Sequence, residues 1–316
     1  GPVANSVFTI TTMLIAVPTG VKIFNWIGTM WGGSIDFKTP MLFALGFIAL
    51  FIVGGLSGVS HAVSPSDAQQ QDTYYIVAHI HYVLFGGSIM GIFSGIYYWF
   101  PKMTGRLMNE GLGKLNFWLM FVGMNITFFP MHYLGLNGMP RRIYTYTSDY
   151  GWDWLNLLAS AGYFVLFAGV VVFLINFINS VRNGQASGHD PWDAPGLEWS
   201  IASPPPVYNF AKVPQVVGLD HYWLVKRRAE AEGNPITGPE TYVDPETIHM
   251  PYTSYWPIVT AFGVLVLAAG FLVEFPWPYI KFPIPFIGGI IAFVGVLGWS
   301  LEPAAPEAHH GSEDHH

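Results

Sequence analysis

Seven long apolar runs constrain this chain more than any other feature. They lie near residues 3–28, 40–60, 74–100, 115–137, 152–180, 253–274 and 282–300. About 20 residues carry a helix across the hydrocarbon of a bilayer, so each run is long enough to span. Composition agrees: 52% of the residues are hydrophobic and 10% charged, where a soluble domain carries about 25% charge. The expected fold is all-α, a polytopic membrane bundle of about seven transmembrane helices. A formal net charge of −7 argues against a nucleic-acid partner. The absence of cysteine excludes disulfides, thiolate metal sites and iron–sulfur ligation.

Loop charges set the expected orientation. The segment 101–114 holds Lys102, Arg106 and Lys114 against Glu110, and 182–252 holds Arg182, Lys212, Lys226, Arg227 and Arg228. Five spans running to residue 180 put these two loops on one side, which the positive-inside rule makes cytoplasmic. The opposite side receives 61–73, 138–151 and 275–281. Arg141-Arg142 is an adjacent basic pair on that outer side, where basic residues are unexpected. Such a pair either solvates a helix end or neutralises anions at that depth, and Arg is suited to bidentate carboxylate recognition.

Within the third run, His79 and His81 stand two residues apart. In a helix that spacing separates them by roughly 200° around the axis. They cannot easily share one metal ion, but each can hold a different cofactor on its own flank. Neutral imidazole is the usual protein ligand of haem iron, so the first expectation is one helix with a haem on either side. The two histidines enter the span about 8–10 Å deep from the outer side at ~1.5 Å per residue.

Lys22 is the only ionisable residue inside the first run. An intramembrane lysine either snorkels to the interface or marks an ion or proton path. Thr19 lies on the same helical face, and a hydroxyl and an amine at that spacing can carry part of a water chain. His132 reads as a packing residue and His61 as interfacial. Gly87, Gly91 and Gly95 recur every four residues and read as a close-packing stripe.

At these residues the chain resembles subunit I of cytochrome c oxidase, in the haem-copper oxidase superfamily. The resemblance is dense over about residues 7–210. It rests on Ala16-Val-Pro-Thr-Gly-Val-Lys22, on Asp72-Thr-Tyr-Tyr-Ile-Val-Ala-His79-Ile-His81-Tyr-Val-Leu, on Phe128-Phe-Pro-Met-His132-Tyr-Leu-Gly-Leu-Asn-Gly-Met-Pro-Arg141-Arg142, and on Leu197-Glu-Trp with Pro204-Pro-Pro206. It implies that His79 is the axial ligand of the oxygen-binding, high-spin haem and His81 an axial ligand of the low-spin haem. Arg141 and Arg142 then bind haem propionates. Lys22 with Thr19 belongs to a proton pathway, and Asp67 lies close to a propionate. Asp72 corresponds to a ligand of a magnesium or manganese site, although the histidine usual before it is here Gln71. The implied cofactors are two haems, of types a and a3, and a copper.

The copper ligands are not on this chain. They belong to the upstream half of such a subunit, as do the second low-spin haem ligand and a carboxylate-based proton pathway. The chain thus resembles roughly the last five spans of a twelve-span subunit, followed by two extra spans. It opens Gly1-Pro2-Val3 inside a span, which reads as one piece of a longer polypeptide. The expected divisions are 1–181, the C-terminal part of the haem-binding bundle; 182–252, a cytoplasmic polar linker with a short helix near Tyr222–Glu232; 253–302, an accessory helix pair; and 303–316, a disordered His-rich tail.

The resemblance implies a partial catalytic subunit of a respiratory terminal oxidase, reducing O2 to water with electrons from cytochrome c and translocating protons. Implied partners are the N-terminal part of subunit I, subunits II and III, cytochrome c and membrane lipid. The expected location is a bacterial cytoplasmic membrane, with the haem-ligand end toward the periplasm. Competing readings are a quinol-oxidising relative, a nitric oxide reductase, an assembly subunit and a proton-coupled transporter. A transporter calls for inverted repeats, and the two halves show none.

Overall fold

The computed structural model describes residues 1–210, 213–236, 238–239, 253–272 and 283–302. Among these, six helices are long and apolar enough to cross a membrane: Pro2–Met30, Thr39–Ala62, Tyr74–Thr104, Glu110–Leu136, Asp153–Asn183 and Pro283–Ser300. The sixth expected span is represented by the shorter helix Trp256–Leu272; its far end, with Glu274, lies outside the described residues, as does the His-rich tail. Two compact units form: Gly1–Pro206 with Gln215–Glu240, and Val207–Pro214 with Thr241–His316.

In the first unit, α1 (Pro2–Met30), α2 (Thr39–Ala62), α3 (Ser64–Gln70), α4 (Tyr74–Val83), α5 (Met90–Thr104), α6 (Glu110–Leu136) and α7 (Asp153–Asn183) succeed one another. A π-helical turn, Leu84–Ile89, joins α4 to α5 within one continuous span. Sequence chemistry sets several ends. The Asn109 side chain caps α6 by accepting from Leu112 N at 2.9 Å, and Thr73 caps α4 by accepting from Tyr75 N at 3.2 Å. Both satisfy amide donors that a helix start leaves open. The α5 helix stops at Gly105 in the left-handed conformation (φ 70°).

Lipid offers no hydrophobic force between helices, so close packing and polar contacts hold them. The core is Phe43, Leu50, Tyr82, Met90, Tyr97, Phe117, Met120 and Met124, drawn from α2, α4, α5 and α6. Inside it run buried hydrogen bonds: Tyr97 OH donates to Asn116 Oδ1 at 3.2 Å, and Asn116 Nδ2 donates to Gly169 O of α7 at 2.8 Å.

The glycine stripe corrects the sequence expectation. Of Gly87, Gly91 and Gly95, only Gly87 abuts another helix among the described residues, at Phe51 of α2. A methyl on Gly91 would meet nothing within 4 Å, and one on Gly95 would meet only Trp99 of its own helix. The π-helical turn adds a residue to the repeat and rotates the helix beyond it, so a spacing of four no longer stays on one face. The tight seams lie elsewhere: Gly86 against Leu50, Gly123 against Leu166 and Gly135 against Tyr75.

At the end of the bundle opposite His79, the chain after α7 folds back onto it. Lys102 Nζ, buried at the end of α5, donates to Ile201 O at 2.7 Å and His189 O at 3.1 Å. The helix α8 (His221–Ala231) is pinned there by Lys226, which bonds Asp190 Oδ2 at 2.8 Å, Asp193 Oδ1 at 2.7 Å and Ala194 O at 2.9 Å. Residues expected to form a solvated linker therefore include a packed helix with a buried cation. The Lys226 ammonium, by hydrogen bond and charge, holds the Asp193 carboxyl below its ordinary range. Burial lowers the His189 imidazole below its own.

In the second unit, α9 (Trp256–Leu272) and α10 (Pro283–Ser300) pack through glycines. A methyl on Gly263 would strike the backbone of Ala292, and one on Gly288 that of Leu267.

Candidate functional site

The α4 helix is clasped between α2 and α6, and its two histidines point to different neighbours. His79 faces α2. Its Nδ1 lies 3.0 Å from Gly54 O and 2.9 Å from Ser57 Oγ, and Gly58 leaves room for the ring, since a methyl there would stand 2.9 Å from Cε1. His81 faces α6, its ring stacked on Phe128 at 4.0 Å with 12° between planes. Its Nδ1 lies 2.7 Å from Val77 O, one turn back on its own helix.

These carbonyls decide the chemistry of both rings. A carbonyl oxygen only accepts, so Nδ1 carries the proton in each, and the lone pair is left on Nε2. Neither Nε2 makes a hydrogen bond with the described residues. An imidazole anchored through Nδ1–H to a backbone carbonyl, with Nε2 open, is oriented for metal ligation. The two open nitrogens belong to rings on different sides of one helix.

Both arginines lie beyond the α6 C-terminus, and the chain fastens that loop to the start of α4. Tyr74 N donates to Met139 O, and Arg141 N to Asp72 O, each at 2.9 Å. Arg141 Nε then bonds Asp72 Oδ1 at 2.8 Å. Asp72 and Arg142 both adopt left-handed backbone (φ 57° and 68°), uncommon for residues with a Cβ. Arg142 is exposed and makes no hydrogen bond or ion pair with the described residues. The structure thus pairs Asp72 with Arg141. Gln71 is exposed, and no group of three or more His, Cys, Asp or Glu among the described residues is placed to hold a metal ion.

Other expected residues are more scattered. Thr19 Oγ1 donates to Ile15 O of its own helix at 2.9 Å. Lys22 is exposed on α1, its ammonium 6.0 Å from the Trp26 ring centroid. Neither is joined to the histidines by the described residues. His132 packs edge-on to Tyr75 at 5.0 Å, as the packing reading expects.

His61 escaped the sequence reading. It ends α2, but α3 folds over it, leaving the side chain 13% exposed. Its ring stands edge-on to His79 at 5.0 Å and to Tyr75 at 5.1 Å. Asp67 Oδ1 lies 3.5 Å from its Nδ1. The available signal was the pairing of His61 with Asp67 across a short Ser-Pro turn.

The described residues form helices, six of them long and apolar enough to cross a membrane, and one of these spans carries two imidazoles on opposite sides with Nε2 open, which defines a polytopic helical membrane protein. The structure is similar to a solved chain titled "Cryo-EM structure of a heme-copper terminal oxidase dimer provides insights into its catalytic mechanism", with a TM-score of 0.50 and 14% identity, over 94% of this chain and 52% of that one. That likeness concerns the fold. The family model "Cytochrome C and Quinol oxidase polypeptide I" matches residues 1–165, and the chain belongs to this family. It is 51% identical over 267 residues to cytochrome c oxidase subunit 1 of Bacillus sp. (strain PS3), covering 84% of this chain and 42% of that protein. Against the same subunit of Synechocystis sp. (strain ATCC 27184 / PCC 6803 / Kazusa) it is 54% identical over 207 residues, covering 66% and 37%. The chain therefore spans well under half the length of these relatives.

Proposed function

We propose that this chain is the C-terminal part of the catalytic subunit of a respiratory terminal oxidase that reduces O2 to water. The observation that carries the reading is the pair of fixed tautomers: Gly54 O and Val77 O hold Nδ1–H of His79 and His81, leaving each Nε2 free. Such donors fit the axial position of a haem iron. His79 would hold the oxygen-site haem and His81 the low-spin haem, of types a3 and a. The cofactors supply one-electron transfer and O2 activation, with copper completed by the upstream part of the subunit.

The chain's own residues orient and neutralise. Gly54 O and Ser57 fix the His79 ring, while Phe128 stacks on His81. Arg141 and Arg142, on the loop tied to the α4 start, would meet propionates. Asp67 would lie near one of them. Lys22 and Thr19 would carry protons toward the oxygen site through water. Asp72 would serve a magnesium or manganese ion only by leaving Arg141, and Gln71 would have to supply an amide oxygen.

We assign 1–181 to the haem-binding bundle, 182–252 to the cytoplasmic side and 253–302 to an accessory pair. The membrane we propose is a bacterial cytoplasmic one, and the loop charges support an orientation with the histidine end toward the periplasm. Partners would be the N-terminal part of the subunit, subunits II and III, and cytochrome c; a quinol donor is the alternative. Oxygen uptake by the purified complex, with reduced cytochrome c as donor, tests the reading. His79→Ala should abolish uptake while the complex still assembles. Full uptake in that variant would refute a catalytic role for this chain.

A further inference from the structure

The most conspicuous unmet polar group in the bundle is His61. Both ring nitrogens are buried, and neither has a hydrogen-bond partner among the described residues. Asp67 Oδ1 is 3.5 Å from Nδ1, a long ion-pair contact that does not make a formed hydrogen bond to the ring. A buried donor left without an acceptor costs about 1–3 kcal/mol, so a ring retained there calls for an acceptor supplied from elsewhere. The ring lines a cavity of about 360 Å³ between α1, the end of α2 and α3, together with Thr9, Thr12, Ser64, Asp67 and Gln71. Thr9 and Ser64 are already engaged, since their hydroxyls bond each other across the α1–α3 contact. That leaves His61 with an N–H to offer beside His79, the ring 5.0 Å away.

A porphyrin ligated through His79 carries two carboxylates on its rim. We propose that His61 donates a hydrogen bond from a ring N–H to one of these propionates, making it a cofactor-binding residue of the oxygen-site haem. The proposal rests on the assignment of a haem to His79. It explains why a histidine occupies a site walled by apolar helix and capped by α3, where an apolar side chain would otherwise leave no orphan. The donor compensates the negative charge of the propionate, and that compensation favours the reduced, less positive iron.

The test is an equilibrium redox titration of the high-spin haem in the purified complex, followed optically, for wild type, His61→Leu and His61→Gln. His61→Leu removes the donor and should lower the midpoint. The ratio of reduced to oxidised haem should fall by up to tenfold, a shift of up to about 59 mV. His61→Gln keeps an N–H and should recover most of that shift. A resonance Raman propionate bending mode should move in the leucine variant and return in the glutamine variant. If His61→Leu does not assemble, His61→Phe keeps a ring against His79 and Tyr75 without nitrogen and takes its place. An apolar variant that retains haem at the wild-type midpoint and propionate frequency overturns the proposal and leaves the cavity to water. A wild-type complex without haem on His79 would instead overturn the functional assignment beneath it.

Discussion

Gly135→Ala is the sharpest test of how the histidine helix is held. Gly135 lets α6 approach α4 so closely that a methyl would lie 2.6 Å from Tyr75 Cβ and 2.7 Å from Tyr75 Cα. The second distance is 0.7 Å short of the 3.4 Å at which ordinary contact begins. The obstruction is backbone, which cannot turn aside like a side-chain tip, so the helices must part. Overpacking of this kind costs about 1–3 kcal/mol, and the clash with main chain puts it near the top. Helix propensity returns about 1 kcal/mol on replacing glycine by alanine, leaving a net loss of ~2 kcal/mol. Gly91→Ala is the control: its methyl meets nothing within 4 Å among the described residues, so with respect to this chain's packing it should be neutral or stabilising by up to about 1 kcal/mol. The assay is the apparent thermal midpoint of the complex in detergent, with the low-spin haem spectrum read alongside, because parting α4 from α6 unstacks His81 from Phe128. Equal midpoints for the two variants, with an unchanged spectrum, would refute the claim that this seam positions the site.

Arg142→Gly separates charge from backbone: glycine accepts φ 68° freely, so the fold should persist or gain up to about 1 kcal/mol while haem retention falls. Asp72→Asn keeps a side chain that tolerates φ 57° and should alter stability by less than about 1 kcal/mol, because the ion pair with Arg141 is largely solvent-exposed. Lys226→Met strands the buried Asp190 carboxylate. It should loosen α8 by about 3–5 kcal/mol, read as faster amide exchange confined to residues 187–206 and α8. The folded Asp193 carboxyl titrates below its ordinary value because Lys226 holds the charged form. Its contribution is therefore complete above about pH 4 and lost as pH falls through the depressed value. Asp193→Asn should already exchange faster at neutral pH, and wild-type protection in that variant would contradict the lock.

Long-range features were legible in the sequence, and local ones were hidden. Spans are set by apolar length alone, so Thr39–Ala62 or Asp153–Asn183 could be read to within a few residues. The opposed directions of His79 and His81 come from helix geometry, and the rings do turn to α2 and α6. The π-helical turn at Leu84–Ile89 has no such signature: Leu-Phe-Gly-Gly-Ser-Ile fits an α-helix equally well, so the Gly87, Gly91, Gly95 repeat was projected onto one face. His61 looked interfacial because its depth was inferred from a span boundary, while its burial comes from Ser64–Gln70 folding back over it. Lys226 looked solvated because Asp190 and Asp193, which bury it, are more than thirty residues away in sequence.

The ligand assignment meets its most direct test in the haem content of the purified complex, measured by optical spectroscopy of wild type, His79→Ala and His81→Ala. Two haems are expected in the wild type, with only the high-spin signal lost in the first variant and only the low-spin signal lost in the second. A colourless wild type, or variants that keep both signals, would contradict the account.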